Sequence, residues 1–256
     1  MDKRTIVLLG GQGVSTNIVF HAIDNSYGTT AAIVEEKEST ILFIKRRIKR
    51  LGFCTVFGQL LFQTAIAKLL RVRSQNRIEE IIRDNQLDRA KIPSEKLINV
   101  RSINSAETIE LLKQLKPNLI IVNGTRILSK ELINSVNCKL INTHAGITPK
   151  YRGVHGAYWA IANNDHANCG VTVHFVDEGI DTGNIIDQKV IAYTDKDNFS
   201  TYPFIQLAEG VKLLKEVVKA YYANTIQIKN CGGESKLWYH PTIWQYLYYR
   251  IRRNVK

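Results

Sequence analysis

Three features of this sequence predict an α/β fold, a Rossmann-like doubly wound mixed sheet with a helical insert and a short C-terminal extension. Short Val- and Ile-rich runs alternate with segments whose apolar residues recur every three to four positions, the rhythm of strands wound by helices. The first apolar run ends in a glycine cluster that opens a helix, as a β-α-β unit requires. Late in the chain, two strand patterns are joined by a loop too short for a helical crossover, so an antiparallel edge is expected.

Residues 5–9 (TIVLL) read as a buried strand, followed by Gly10, Gly11 and Gly13. Ser15 or Thr16 can cap a helix with Ile18, Val19, Ala22 and Ile23 on one face. A second strand lies at 31–35. Residues 37–90 then interrupt the rhythm with helical patterns: ILFIKRRIKR, LGFCTVFGQLLFQTAIAKLL and NRIEEIIRDN. The alternation resumes with strand 98–101, helix 106–115, strand 118–123, helix 129–136 and strand 139–144. A polar loop and a helix near 153–163 lead to strands 170–176 and 184–193, and a long helix at about 200–222 closes the domain. The division expected is a catalytic domain over 1–225, with its basic insert at about 37–90, and an aromatic, basic extension over 226–256.

With 256 residues, 45% hydrophobic and 23% charged, the chain can bury a real core, which excludes a wholly disordered or fibrous protein. No apolar run of 18 residues is free of polar interruption, so a membrane-spanning helix is not expected, and MDKRTIVLLGGQG lacks the marks of a signal peptide. Four scattered cysteines form no C-x-x-C pair. Zinc and a disulfide framework are therefore poor expectations, and a cytoplasmic setting is the default. The net charge of +12 is local: residues 41–78 carry nine basic side chains and no acid, and residues 229–256 carry six and one acid. The rest is nearly neutral, so no whole-protein grip on nucleic acid is expected.

Two places can carry chemistry. Gly11 and Gly13 sit between a strand and a helix, where backbone amides can cradle a phosphate. Thr16 stands where a dinucleotide fingerprint needs its third glycine, although Glu35 or Glu36 is near the distance for a ribose contact. A tight turn is the plain alternative. The second place is Asn142-Thr-His144 at the end of strand 139–144. Both polar side chains project to one side there, at the carboxyl end of the sheet where open α/β folds bind ligands. An amide and an imidazole there can stabilise an oxyanion, and Asp181, on the loop between the antiparallel strands, can orient His144 and raise its pKa.

The stretches INTHAGITPKYRGVHGAYWAI and CGVTVHFVDEGIDTGNIIDQ resemble the catalytic core of the formyltransferases that use N10-formyltetrahydrofolate, densely over 118–190 and weakly over 1–35 and 200–222. The resemblance implies that Asn142, His144 and Asp181 are catalytic and that no metal is needed. It also implies folate contacts at Arg126, Ile127 and Leu128 and at Asp177, Glu178, Gly179 and Ile180. The family's tRNA enzymes have a further C-terminal barrel and its hydrolase an N-terminal regulatory domain, and this chain leaves little room for either. Lys150-Tyr151-Arg152-Gly153 is similar to the amino-sugar formyltransferases of bacterial polysaccharide (O-antigen) assembly, whereas the TRILS and TVHFV segments suit phosphoribosylglycinamide formyltransferases. A nucleotide-linked amino sugar is the acceptor favoured, its diphosphate near Lys150 and Arg152 and the glycine loop, with Arg152 equally suited to a structural role. His155 reads as a packing residue.

The insert and the tail, with Trp238, Tyr239, Trp244, Tyr246, Tyr248 and Tyr249 ahead of three arginines, suit an interfacial helix, which would place the enzyme at the inner face of the membrane. They equally suit helices packed on the domain or a homodimer contact. A non-enzymatic protein binding lipid or nucleic acid through these segments is the alternative of another class, and it leaves Asn142, His144 and Asp181 unexplained.

Overall fold

Strand β1 (Ile6–Gly11) is buried through Gly10, because a strand covered on both faces by helices needs no polar alternation. The computed structural model describes residues 4–256. Helix α1 (Val14–Tyr27) starts directly from Gly13, not from a cap at Ser15 or Thr16. Thr16 lies inside the first turn, where its hydroxyl donates to the Gly11 carbonyl (2.6 Å). Strand β2 (Ala31–Glu35) completes the β-α-β start. The insert then forms α2 (Thr40–Leu51), α3 (Phe53–Leu61), a π-helical turn (Phe62–Ala67), α4 (Lys68–Arg73) and α5 (Gln75–Asp84). The alternation resumes in β3 (Leu97–Val100), α6 (Ala106–Leu115), β4 (Leu119–Asn123), α7 (Lys130–Asn134) and β5 (Lys139–His144). Ser105 and Ser129 cap α6 and α7 by accepting from Thr108 and Leu132 amides. Next come β6 (Arg152–Gly153), α8 (Gly156–Ala162), β7 (Gly170–Phe175), β8 (Ile185–Val190) and α9 (Tyr202–Tyr222). The extension supplies β9 (Leu237–Trp238) and α10 (Ile243–Arg253).

The sheet order is β3-β2-β1-β4-β5-β7-β8, parallel through β5, with β7 antiparallel to β5 and β8 antiparallel to β7. Alternate residues of each strand feed two cores. Ile6 and Leu8 pack under α1, α8 and α9, while Val7 and Leu9 pack under α6 and α7. Strand β9 pairs in parallel with β6. Its Trp238 stacks on Trp159 (ring centroids 4.7 Å apart), and the Trp159 indole donates to the Tyr239 carbonyl (2.8 Å).

The helices α3 and α4 and the π turn between them run without a break from Phe53 to Arg73, long and apolar enough by length and composition to cross a membrane. Gln59, Gln63 and Thr64 are the polar interruptions that the sequence shows in this run. The helix lies against the domain, with Phe62 fully buried between Phe199 and Tyr246. At the end of the insert, Arg77 on α5 forks onto the buried Asp197 carboxylate (2.9 and 3.2 Å).

Candidate active site

Strand β5 ends at the carboxyl edge of the parallel sheet, and β7 runs back beside it with His174 opposite Asn142. The loop after β7 returns Asp181 to this edge in a left-handed conformation (φ 52°), which a residue holds only when its surroundings fix it. Two contacts fix the loop: the Gly153 amide donates to Asp181 Oδ2 (3.0 Å), and Arg152 Nη1 donates to the Ile180 carbonyl (3.0 Å). Three separate stretches of chain thereby meet. His144 Nδ1 lies 3.3 Å from Asp181 Oδ2, and Asn142 Nδ2 lies 3.5 Å from Asp181 Oδ1.

The protons can be placed. The buried His144 donates from Nε2 to the Tyr151 carbonyl (2.7 Å), which turns Nδ1 toward the carboxylate. Nδ1 thereby faces Asp181 Oδ2 and forms an ion pair with it when the ring takes up a second proton. Burial pushes the His144 pKa down, against the pull of Asp181 and the Tyr151 carbonyl. Burial also opposes the Asp181 charge, yet the His144 ring and the Gly153 amide hold its carboxyl below the ordinary value. The ring is thus weakened in its hold on a second proton, while the carboxyl favours its charged form. Both His144 nitrogens and the Asn142 amide nitrogen thus have partners within the site.

His174 is a residue that sequence reasoning missed. It donates from Nδ1 to the Phe175 carbonyl (2.7 Å), so its Nε2 carries a lone pair and accepts from Asn142 Nδ2 (3.2 Å). This fixes which way the Asn142 amide faces. Its signal was a histidine inside strand TVHFV, but pairing it with Asn142 needs the β5–β7 register.

Beside the trio opens a cleft of about 940 Å³, lined among others by Gly11, Arg126, Ile127, Gly153 and Ile180. Gly11 must be glycine, because a Cβ there would lie 2.2 Å from the Gly124 carbonyl oxygen. Of the residues expected to hold folate, Arg126, Ile127 and Ile180 line the cleft, whereas Leu128 is buried in the core. The Arg126 amide is already donated to Glu35 Oε1 (2.5 Å), and the Ile127 carbonyl accepts from Asn104 (2.9 Å). Glu35 also accepts from the Ile103 amide (3.0 Å). It is therefore a buried brace and not a ribose ligand, whereas Glu36, the other acid near that distance, is exposed and lines the cleft. Asp177, Glu178 and Gly179 are exposed beyond the cleft; Asp177 closes its own loop by accepting from the Gly179 amide and the Thr182 hydroxyl.

The expected phosphate residues are placed elsewhere. Lys150 pairs with Asp165 (2.6 Å) and Arg152 Nη1 donates to the Ile180 carbonyl (3.0 Å), and neither residue lines the cleft. Gly13 lines a smaller neighbouring pocket that it shares with Gly11. The cleft's positive charge comes from the insert: Arg46, Arg47 and Arg50 of α2, with Lys37. Arg46 is paired with Glu38 (2.5 Å), but among the described residues Arg47 and Arg50 meet no carboxylate. Arg47 donates to Gln59 Oε1 (2.6 Å), Gln59 donates to the His240 carbonyl (2.7 Å), and Arg50 stacks on Tyr239. Insert and extension together build this wall. His155 packs on Phe199 and shares a proton with His240 (2.8 Å).

The family profile named Formyl transferase matches residues 65–218, more than half of the chain. The methionyl-tRNA formyltransferase of Pelotomaculum thermopropionicum is 35% identical over 118 residues, 46% of this chain and 37% of that protein. That of Thermodesulfovibrio yellowstonii is 37% identical over 127 residues, 49% of this chain and 41% of that protein. The chain thus spans about two fifths of the length of these curated relatives. Among solved structures, the phosphoribosylglycinamide formyltransferase of Anaplasma phagocytophilum covers 93% of this chain and 98% of its own at 18% identity (TM-score 0.58). The N-formyltransferase of Helicobacter canadensis, in complex with folinic acid and dTDP-3-aminofucose, covers 93% of this chain and 71% of its own at 20% identity (TM-score 0.54). At such identities these structures establish the fold.

Proposed function

The chain belongs to the formyl transferase family, and from that premise we propose that it transfers the formyl group of N10-formyltetrahydrofolate to the amino group of a nucleotide-linked amino sugar. The observation that carries the acceptor is the cleft wall, where Arg47 and Arg50 carry charges that no carboxylate among the described residues answers. An unanswered, half-buried guanidinium favours an anion, and a nucleotide diphosphate supplies one. The Helicobacter structure, with its folinic acid and dTDP-3-aminofucose, supports both halves of the reading.

The residues fit a flat, mostly apolar donor: Ile127, 58% exposed, and Ile180 line the cleft from the two loops that flank the trio. Bound there, the donor supplies an electrophilic formyl carbon. Asn142 Nδ2, held by one N–H on His174, turns the other from Asp181 Oδ1 to the formyl oxygen as negative charge grows on it. Asp181 Oδ2 and His144 Nδ1 take up the proton that the acceptor amine loses and return one to the departing nitrogen. Burial of the ring lowers the cost of giving the proton up. Synthesis of bacterial surface polysaccharide is the setting this acceptor implies.

A methionyl-tRNA acceptor is the second reading, favoured by the 35–37% identity to methionyl-tRNA formyltransferases. An acceptor panel decides. With the formyl donor, dTDP- and UDP-linked amino sugars should yield tetrahydrofolate and a product heavier by one formyl group. Turnover confined to methionyl-tRNA or to glycinamide ribonucleotide would move the assignment to that acceptor.

A further inference from the structure

Outside the cleft, the insert and extension leave two apolar stripes uncovered. On α10, Trp244, Leu247, Tyr248 and Ile251 follow the i, i+3, i+4, i+7 spacing of a buried helix face, yet all are exposed, Ile251 by 80%. The opposite face of α10 carries the buried Tyr246 that holds it to the domain. Along α3 and α4, Phe53, Phe57, Leu61, Leu69 and Val72 are exposed as well. Four-residue steps drift around an α-helix, and the wider π turn at Phe62–Ala67 turns the stripe back, so it stays on one side for a helix about 30 Å long. The two stripes adjoin, because the Trp244 ring rests on Gly58, next to Phe57.

The charge around this surface is of one sign. Among the described residues, Lys68, Arg71 and Arg73 of α4 are exposed and make no ion pair, and Arg252 stands exposed on α10. A second copy of the chain meeting this face by a two-fold axis would set these cations against themselves. A nucleic acid would answer the charge and leave the Phe, Leu and Ile side chains in water. A surface that is apolar in the middle and cationic beside it complements an anionic bilayer, with apolar side chains below the headgroups and Lys and Arg among them.

We propose that α3, α4 and α10 form a docking face that seats this protein on an anionic membrane surface, with its helices in the plane of the interface. Crossing the bilayer would strip Phe62, Ile66 and Leu70 from the core against which they pack, so the face lies on the membrane and does not span it. The proposal is independent of the acceptor. Because Trp238, Tyr239 and His240 of the cleft directly precede α10, docking would also hold the cleft close to the headgroups.

Vesicle flotation of the full chain tests this. Binding to phosphatidylglycerol-containing vesicles should exceed binding to phosphatidylcholine alone and weaken at physiological salt without vanishing. Phe57→Glu and Ile251→Glu should each lower partitioning at least about tenfold. Lys68→Ala, Arg71→Ala and Arg73→Ala should lower it about fivefold per charge removed. Formyl transfer to a soluble acceptor by these variants reports an intact fold, and quenching of tryptophan fluorescence by brominated lipid, present in wild type and lost in Trp244→Phe, reads insertion. Absence of flotation in low salt overturns the proposal. So does flotation that Phe57→Glu leaves unchanged and RNA competes away, or a wild-type dimer that Phe57→Glu converts to monomer without any vesicle binding.

Discussion

In the proposed reaction Asn142, His144 and Asp181 divide the work by what each can give. Asn142 offers a neutral amide: one N–H is anchored on His174, and the other turns from Asp181 Oδ1 to a developing charge. Removing such a donor typically costs about 3–4 kcal/mol, so Asn142→Ala should lose at least about two orders of magnitude in kcat with the acceptor KM little changed. Steady-state kinetics on the variant checks this, and turnover within a few-fold of wild type would dismiss Asn142 from the role. His144 is pulled both ways, down by burial and up by Asp181. Asp181→Asn removes the upward pull. The His144 limb of the kcat/KM profile should therefore move to lower pH, together with a large fall in rate. A profile displaced to higher pH would show that the carboxylate does not hold the ring's proton.

The insert and the C-terminal extension act as one unit across elements far apart in sequence. The Trp244 ring of α10 occupies the space over Gly58 of α3, where a Cβ would stand 2.2 Å from the indole. Gly58→Val should displace α10, destabilise the protein by about 1–3 kcal/mol and expose the tryptophan, seen as a lower urea midpoint and a red-shifted emission. The histidine pair between α8 and the extension gives this unit a pH dependence. Burial pushes His155 well down and His240 down to about 4, the neighbouring histidine adding to the former and Arg47 to both. Between about 4 and the ordinary 6.5, the unfolded chain binds more protons than the folded one, so stability falls as pH drops through that window and is complete above it. Thermal unfolding of wild type should show this slope. His240→Gln should flatten it by roughly 3 kcal/mol across the window; an unchanged slope would mean that His240 is not held neutral.

For the molecule as a whole, the sheet edge carries Asn142, His144 and Asp181, and the added helices form the cleft wall that the proposed acceptor would meet. Arg47 reaches the cleft from α2, and its partner Gln59 bonds on to the extension, so substrate recognition and the docking of these helices share side chains. Arg47→Ala should raise the KM for a nucleotide-linked acceptor at least about tenfold, the value of one charge-assisted contact, while kcat changes little. Equal loss in kcat and kcat/KM would place Arg47 in the chemistry instead. This assignment was hidden in the sequence. Lys150 and Arg152 stood next to the catalytic motif and read as phosphate ligands, but Asp165 and the Ile180 carbonyl claim them, while arginines a hundred residues earlier reach the cleft.

The sequence by itself determined the strands and helices and the antiparallel edge, and it singled out Asn142, His144 and Asp181, which the structure brings together. Those follow from period and local spacing, which each short stretch carries on its own. Only the tertiary structure decided that His174 stands across from Asn142, that Glu35 is a brace and that both nitrogens of His144 are taken. It also decided that α2 faces the cleft while α3, α4 and α10 turn apolar stripes outward. Each of these depends on strand register or on which of two packed faces a helix presents, and register and facing are set by partners distant in the chain.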